Sequence, residues 1–317
     1  MNHMEKKIDL VIPMVFPQDP KWQKAYKATM GCSDATGHAR YRSWGTEELL
    51  VRCCMKYMPW LRSIHILLAS ESQTEYLNGL DRLNGANGQD NPLSPLSPSL
   101  HYVFHRDFIP EQYLPTFNVN TIEMWLHRIP GLSEYFIYSN DDLFPLSPLQ
   151  PEDFFQPRED GGILPCQTLY ERPYPTSPNT FHKLVKNGLD LVAEDFGVKY
   201  KKTWLRTGHS MAPMLKSMVE QVCTMHADRI LQGFTDKRDP KNFNQYIFQF
   251  YQHFSGKYIE HVPSRHNVGP KVPVKDIVAI LREPAAGVVC INDSRKIADW
   301  ERRAEIVRRE ISAKLES

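Results

Sequence analysis

The chain has 317 residues, 41% of them hydrophobic and 24% charged, a balance that supplies a large core and excludes collagen-like and disordered classes. Its 38 Lys and Arg stand against 37 Asp and Glu, a net charge of +1, so no overall field draws it to nucleic acid and any basic site is local. The N-terminal apolar run is broken by Pro13 and no stretch reaches 18 apolar residues. Cys32, Cys53, Cys54, Cys166, Cys223 and Cys290 fall in no zinc spacing. The expectation is a cytoplasmic protein with no transmembrane segment, compatible with peripheral membrane association through a partner or a surface patch.

In chain order, the apolar, β-branched run at 8–15 predicts a buried strand, followed by a proline-punctuated loop. TEELLVRCCMKY at 46–57 predicts a helix with Thr46 as cap, and SIHILLA at 63–69 a second buried strand. The Asn-, Gly-, Pro- and Ser-rich stretch 83–99 predicts an exposed, flexible loop, and 100–105 a third strand. A helix is expected at 120–129 and a strand at 134–139 that runs into Asn140-Asp141-Asp142. Residues 151–200 show few periodic signals and ERPYPTSPN at 171–179 reads as an irregular loop. Helices are expected at 212–231 and 242–254, a strand at 288–293, and a charged amphipathic helix at 294–314 with its Lys and Arg on a solvated face. Buried strands alternating with helices predict an α/β fold: a mainly parallel, Rossmann-like sheet flanked by helices, with an appended helical C-terminal part. One domain over 1–317 with a helical subregion at 205–260 is the expected organisation.

Two adjacent carboxylates after a strand suit a divalent cation that bridges phosphate oxygens, because Mg²⁺ takes one or two carboxylates and fills its other positions with water and phosphate. The same residues also favour a plain turn. Arg40, Arg42 and Arg52 surround the start of the 46–57 helix, and arginine forks bind phosphate, although a solvated charged face gives the same pattern. His209 is a candidate general base, and Asn292-Asp293 is a second strand-end pair. Trp22, Trp60 and Trp125 have the spacing of packing residues.

Taken in order, IDLVIPMVFPQDPKW, RYRSWGTEELLVRCCMKY, then LPTFN, IE, LHRIPGLSE, FIY and NDD, and finally CIND resemble the Stealth family of sugar-1-phosphate transferases. The resemblance is strong over residues 8 to about 155, weaker through GHSMAP and DKRDPKNFNQYIFQFY, and returns at CIND. It implies an enzyme that takes a nucleotide diphosphate sugar donor and a glycan acceptor, with Mg²⁺ or Mn²⁺ as cofactor, in capsule or cell-surface polysaccharide synthesis. It implies further that Asp141, Asp142 and Asp293 serve the metal, that His209, Asp142 and Arg52 are catalytic, and that Arg40, Arg42, Arg238, Asn140, Asn292 and Asp19 bind substrate. Phe16-Pro17-Gln18-Asp19 stands where many members carry Asp-Gly-Ser-Asp, and Ser43, Trp44 and Thr46 stand where polar and acidic residues are expected, with Glu47 or Glu48 as substitutes after a shift in register. The competing readings are a nucleotide-sugar glycosyltransferase and a noncatalytic glycan-binding subunit.

Overall fold

The computed structural model describes residues 7–31, 41–81, 98–159, 161–294 and 296–317. In chain order its elements are β1 (Ile8–Pro13), α1 (Pro20–Met30), α2 (Glu47–Tyr57), β2 (Ser63–Leu68), α3 (Asn78–Asp81), β3 (Ser99–Phe104), α4 (His105–Phe108), α5 (Val119–Glu123), β4 (Tyr135–Tyr138), β5 (Leu143–Pro145), β6 (Phe155–Pro157), β7 (Ile163–Gln167), β8 (Leu169–Pro173), α6 (Thr180–Asp195), β9 (Thr203–Thr207), β10 (Ala212–Leu215), α7 (Lys216–Met225), α8 (Ala227–Gln232), α9 (Tyr246–Phe254), β11 (Ile259–Glu260), β12 (Arg265–Val268), α10 (Val274–Arg282), β13 (Val288–Ile291) and α11 (Trp300–Glu316). They form two compact units: residues 1–104, 138–151 and 263–317 make the first, and 105–137 with 152–262 the second. Of the loop expected at 83–99, all but the last two residues lie outside the described residues.

In the first unit β1, β2 and β3 are parallel and in register, Asp9 opposite Ser63 and His65 opposite His101. Ile8, Leu10, Val11 and Ile12 are fully buried, as are Ile64, Ile66, Leu67 and Leu68, which is the continuous apolar reading of parallel strands covered on both faces. Asp9 interrupts that run. It is fully buried, and its carboxylate is matched by the Arg62 guanidinium and by His65 Nε2 at 3.1 Å, which offsets the cost of desolvating it. A second sheet joins β12 and β13 in parallel and β13 and β5 antiparallel. Gly287 opens β13 at φ +64°, and a Cβ there would lie 2.1 Å from Ser264 O, so both the turn and the close approach require glycine.

The helices of the first unit pack as α2 against β5 and α11, and α10 against α11. The last helix runs over 300–316 rather than 294–314; Arg302 and Arg309 lie on its solvated face, as expected, while Arg303, Arg308 and Lys314 tether it to other segments. Arg308 donates to Trp44 O, Arg303 Nη1 to Val272 O at 2.9 Å and Lys314 Nζ to Leu281 O at 3.1 Å, while Arg282 and Arg309 both grip the buried Glu310 carboxylate. Among the described residues no helix is long and apolar enough to cross a membrane.

The second unit pairs β6 with β7 antiparallel, β7 with β11 parallel and β8 with β9 antiparallel, and packs α6 on α9. Three expectations are corrected here. Residues 120–129 form the five-residue α5 and a separate 3₁₀ turn, Leu126–Arg128, instead of one helix. Within 212–231, Ala212–Leu215 is a strand before the helices begin. The segment 151–200 is ordered: it holds three strands and the 16-residue α6, whose start is fixed by reciprocal bonds between Asn179 and His182. Residues 205–260 accordingly hold α7, α8 and α9 but also β10 and β11. Trp125 packs with Tyr113 and Phe234 in this unit, as Trp22 packs on Tyr26 in the first.

Candidate functional site

The Asn140-Asp141-Asp142 turn belongs to the first unit and is fastened on both sides. Ser139 N–H donates to Val11 O of β1 at 2.9 Å, and Ile291 N–H of β13 donates to Asp142 O at 2.8 Å. The turn closes on itself through Leu143 N–H to Asn140 O at 3.3 Å. Asp141 is exposed and Asp142 half-buried. Cys290 of β13 donates its S–H to Asp142 Oδ2 at 3.5 Å. Burial, then the Asp142 charge, push the Cys290 thiol above its usual range.

Beyond β13, Asp293 meets Arg42. Arg42 Nε donates to Asp293 Oδ2 at 2.8 Å, Nη2 donates to Oδ1, and the guanidinium stacks over Trp300 at 4.5 Å from the ring centroid. This forked pair engages both oxygens of Asp293 and orients Arg42. The same pairing commits most of Arg42's fork to the protein. Asn292 is exposed, with its N–H on Val268 O at 3.1 Å. Two distant stretches expected to serve one site are therefore brought together, the acids at 141–142 and the 292–293 pair.

Other expected residues are placed elsewhere. Asp19 is 1% exposed and caps α1, accepting from Lys21 N–H at 2.9 Å and from Ser72 Oγ at 2.7 Å. Glu47 accepts from Ser43 Oγ at 2.6 Å and Glu48 from Gly79 N–H at 2.7 Å, so both acids serve local structure. Arg52 is exposed on α2, where it lines a cleft of about 490 Å³ with Gln18, Ser43, Tyr76 and Arg308. Neither Asp142 nor Asp293 lines that cleft. Arg40 lies outside the described residues.

In the second unit His209 is half-buried in the short turn between β9 and β10. Arg238 sits on the loop between α8 and α9; its Nε is buried with no hydrogen-bond partner. Sequence reasoning missed Cys290 and Trp300 as partners of the expected residues, and Asn242 as the hub of the Arg238 loop. For Cys290 a signal existed in its place within CIND; for Trp300 there was none.

The resemblance read from the sequence implies a divalent cation. Carboxylate oxygens are the donors that Mg²⁺ and Mn²⁺ take; Asp142, half-buried with Cys290 Sγ at 3.5 Å from its Oδ2, is such a donor, and the exposed Asp141 adjoins it in the turn.

Residues 40–161 match the model of Stealth protein CR2, conserved region 2. Over 93% of its length the chain is 28% identical to the receptor polysaccharide phosphotransferase WefC of Streptococcus oralis, of which it also covers 93%. It is 27% identical to the capsular polysaccharide phosphotransferase WcwK of Streptococcus pneumoniae, again with 93% of each chain covered. Among solved structures, a galactosyltransferase, LgtC, aligns over 95% of both chains at 11% identity and a TM-score of 0.42, too loose a likeness to build on. The matched region contains Arg40, Arg42, Arg52 and the 140–142 turn, and the resemblance read from LPTFN through NDD is borne out. The chain carries Stealth conserved region 2 and is a homologue, over nearly its whole length, of bacterial polysaccharide phosphotransferases.

Proposed function

We propose that the protein transfers a sugar-1-phosphate from a nucleotide diphosphate sugar to a glycan hydroxyl, in the synthesis of a capsular or other cell-surface polysaccharide. The observation that carries this reading is the Asp141-Asp142 turn, held between β1 and β13 by main-chain bonds, with the Arg42–Asp293 fork following the same β13. A turn fixed on two sides loses little freedom when it binds, which is what positioning a reacting diphosphate demands.

In this reaction the acceptor oxygen attacks the phosphorus that bears the sugar. A new P–O bond forms, the bond to the bridging oxygen breaks, and the nucleoside monophosphate leaves with those electrons. Asp142, with Asp141, would hold a divalent cation, which would supply neutralisation of the diphosphate oxygens. His209 takes the acceptor proton, the role the resemblance implies for it. Arg52, exposed beside its cleft, and Arg238 offer guanidiniums to phosphate oxygens, and Arg42 is held in orientation by Asp293 and Trp300. Asn140 and Asn292 offer amides to the donor. Nucleotide sugars are cytoplasmic donors, so the proposed reaction is a cytoplasmic one.

The test is to incubate the full chain with Mg²⁺ or Mn²⁺, a set of nucleotide sugars and a glycan mixture, and to separate the released nucleotides. Nucleoside monophosphate that depends on the acceptor, with a phosphodiester resonance in the ³¹P spectrum, is the expected result. Release of nucleoside diphosphate would replace phosphotransfer by glycosyl transfer, and donor binding without release would leave a binding subunit.

A further inference from the structure

The loop from Gly233 to Gln245 in the second unit is organised around one side chain. Asn242 is 3% exposed. Its Oδ1 accepts from Asn118 Nδ2 at 2.9 Å, from Asn120 Nδ2 at 3.2 Å and from Asp239 N–H at 2.8 Å. Its Nδ2 donates to Gly233 O at 2.7 Å and to Thr235 Oγ1 at 2.8 Å. Five bonds from one amide tie both limbs of the loop, at 233–235 and at 239, to the start of α5. Only an amide carries an acceptor and two donors on one rigid group, so neither Asp nor Leu reproduces the set. Thr235 extends the network: its Oγ1 donates to Lys237 O at 2.7 Å, and its own carbonyl accepts from Asn118 Nδ2 at 3.0 Å.

Arg238 lies between these anchors, flanked by Lys237 and Asp239. Its Nε is buried without a hydrogen-bond partner, and it forms no ion pair among the described residues. Asn244, on the same loop and 7% exposed, likewise leaves its Oδ1 without a partner. Buried polar groups are as a rule satisfied; with Nε enclosed and Arg238 half-buried, the terminal N–H groups of the guanidinium are the ones left for an anion. Were Arg238 on an untethered loop, it would turn to water and the donor would be solvated.

We infer that Asn242 is a positioning residue: it fixes the loop so that Arg238 presents its guanidinium to an anionic ligand. The identity of that anion, the donor's diphosphate, rests on the phosphotransferase reading; the positioning itself does not. Asn242 touches no substrate in this role and acts through Arg238.

The test is a double-mutant cycle on the full chain, with inorganic pyrophosphate as the calorimetric probe and the donor KM and kcat as the kinetic readout. Arg238→Ala and Asn242→Ala each weaken pyrophosphate binding about tenfold, and the double variant is no weaker than either, because coupled residues are non-additive. The donor KM rises in parallel while kcat changes less. A second tenfold loss in the double variant overturns the inference, since Asn242 would then act independently of Arg238; unchanged affinity in either single variant overturns it too. If Asn242→Ala fails to fold, Thr235→Val removes a single hydroxyl from the network. It is expected to weaken pyrophosphate binding a few-fold in the parent and not at all in the Arg238→Ala background, and equal losses in both overturn the inference. The expected cycle in a protein that releases no nucleoside monophosphate sustains the positioning role and refutes the transfer reading alone.

Discussion

The two units hold their candidate residues by different chemistry. In the first, a carboxylate turn is pinned by main-chain bonds to two strands and its neighbour Asp293 is clamped by a charged fork. In the second, a loop is shaped by neutral amides and hydroxyls around Asn242. A charged clamp sets orientation strongly but leaves a buried charge when one partner is lost. An amide hub carries no net charge, so salt and moderate pH leave it intact, and its geometry depends on having both a donor and an acceptor.

The contrast can be broken at its strongest point by Asp142→Asn, which keeps shape and removes charge. Transfer is expected to fall by about 10³-fold with circular dichroism unchanged; initial-rate measurement of nucleoside monophosphate checks it, and near-parental rates would take the turn out of the reaction. Arg42→Ala tests the clamp. It strands Asp293, whose side chain is only 16% exposed, and is expected to lower stability by about 3 kcal/mol in urea denaturation. Arg42→Lys recovers part of that because an ammonium cannot form the fork.

The smallest effect concerns acid. The amide hub does not titrate, so acid sensitivity of the second unit is expected from His105, which is 7% exposed and whose pKa burial lowers from 6.5 to about 4. Its folded state favours the neutral ring, so the associated stability is complete above about pH 6.5 and is lost as the pH falls toward 4. Thermal or urea unfolding at pH 5 against pH 8 should register about 2 kcal/mol from this group, and His105→Gln should flatten that part of the profile.

Much of the scaffold was legible because its residues obey one period. The β1 and β2 segments are unbroken apolar runs, and α2 carries a clean helical stripe. The failures have equally local reasons. APML at 212–215 is apolar throughout and reads as the first turn of a helix, since short apolar runs do not distinguish strand from helix. The three prolines at 173, 175 and 178 masked the onset of α6, although Asn179 was a cap in plain view. In the site, strand-then-acid spacing located Asn140–Asp142, yet nothing in the sequence pairs Arg42 with a residue 251 positions away. Asn242 reads as an ordinary turn residue, because its importance lies in partners at 118 and 120.

The bond between β13 and the Asp142 turn has a temporal side. Cys290 and Asp142 are 148 residues apart in sequence, so during synthesis at roughly 5–20 residues per second the acids wait on the order of ten seconds or more for the strand that fixes them. The first three parallel strands form a docking edge well before that strand emerges. β1, β2 and β3 have thus all been synthesised before the acidic turn exists, and the turn gains its second main-chain fastening only once β13 has emerged.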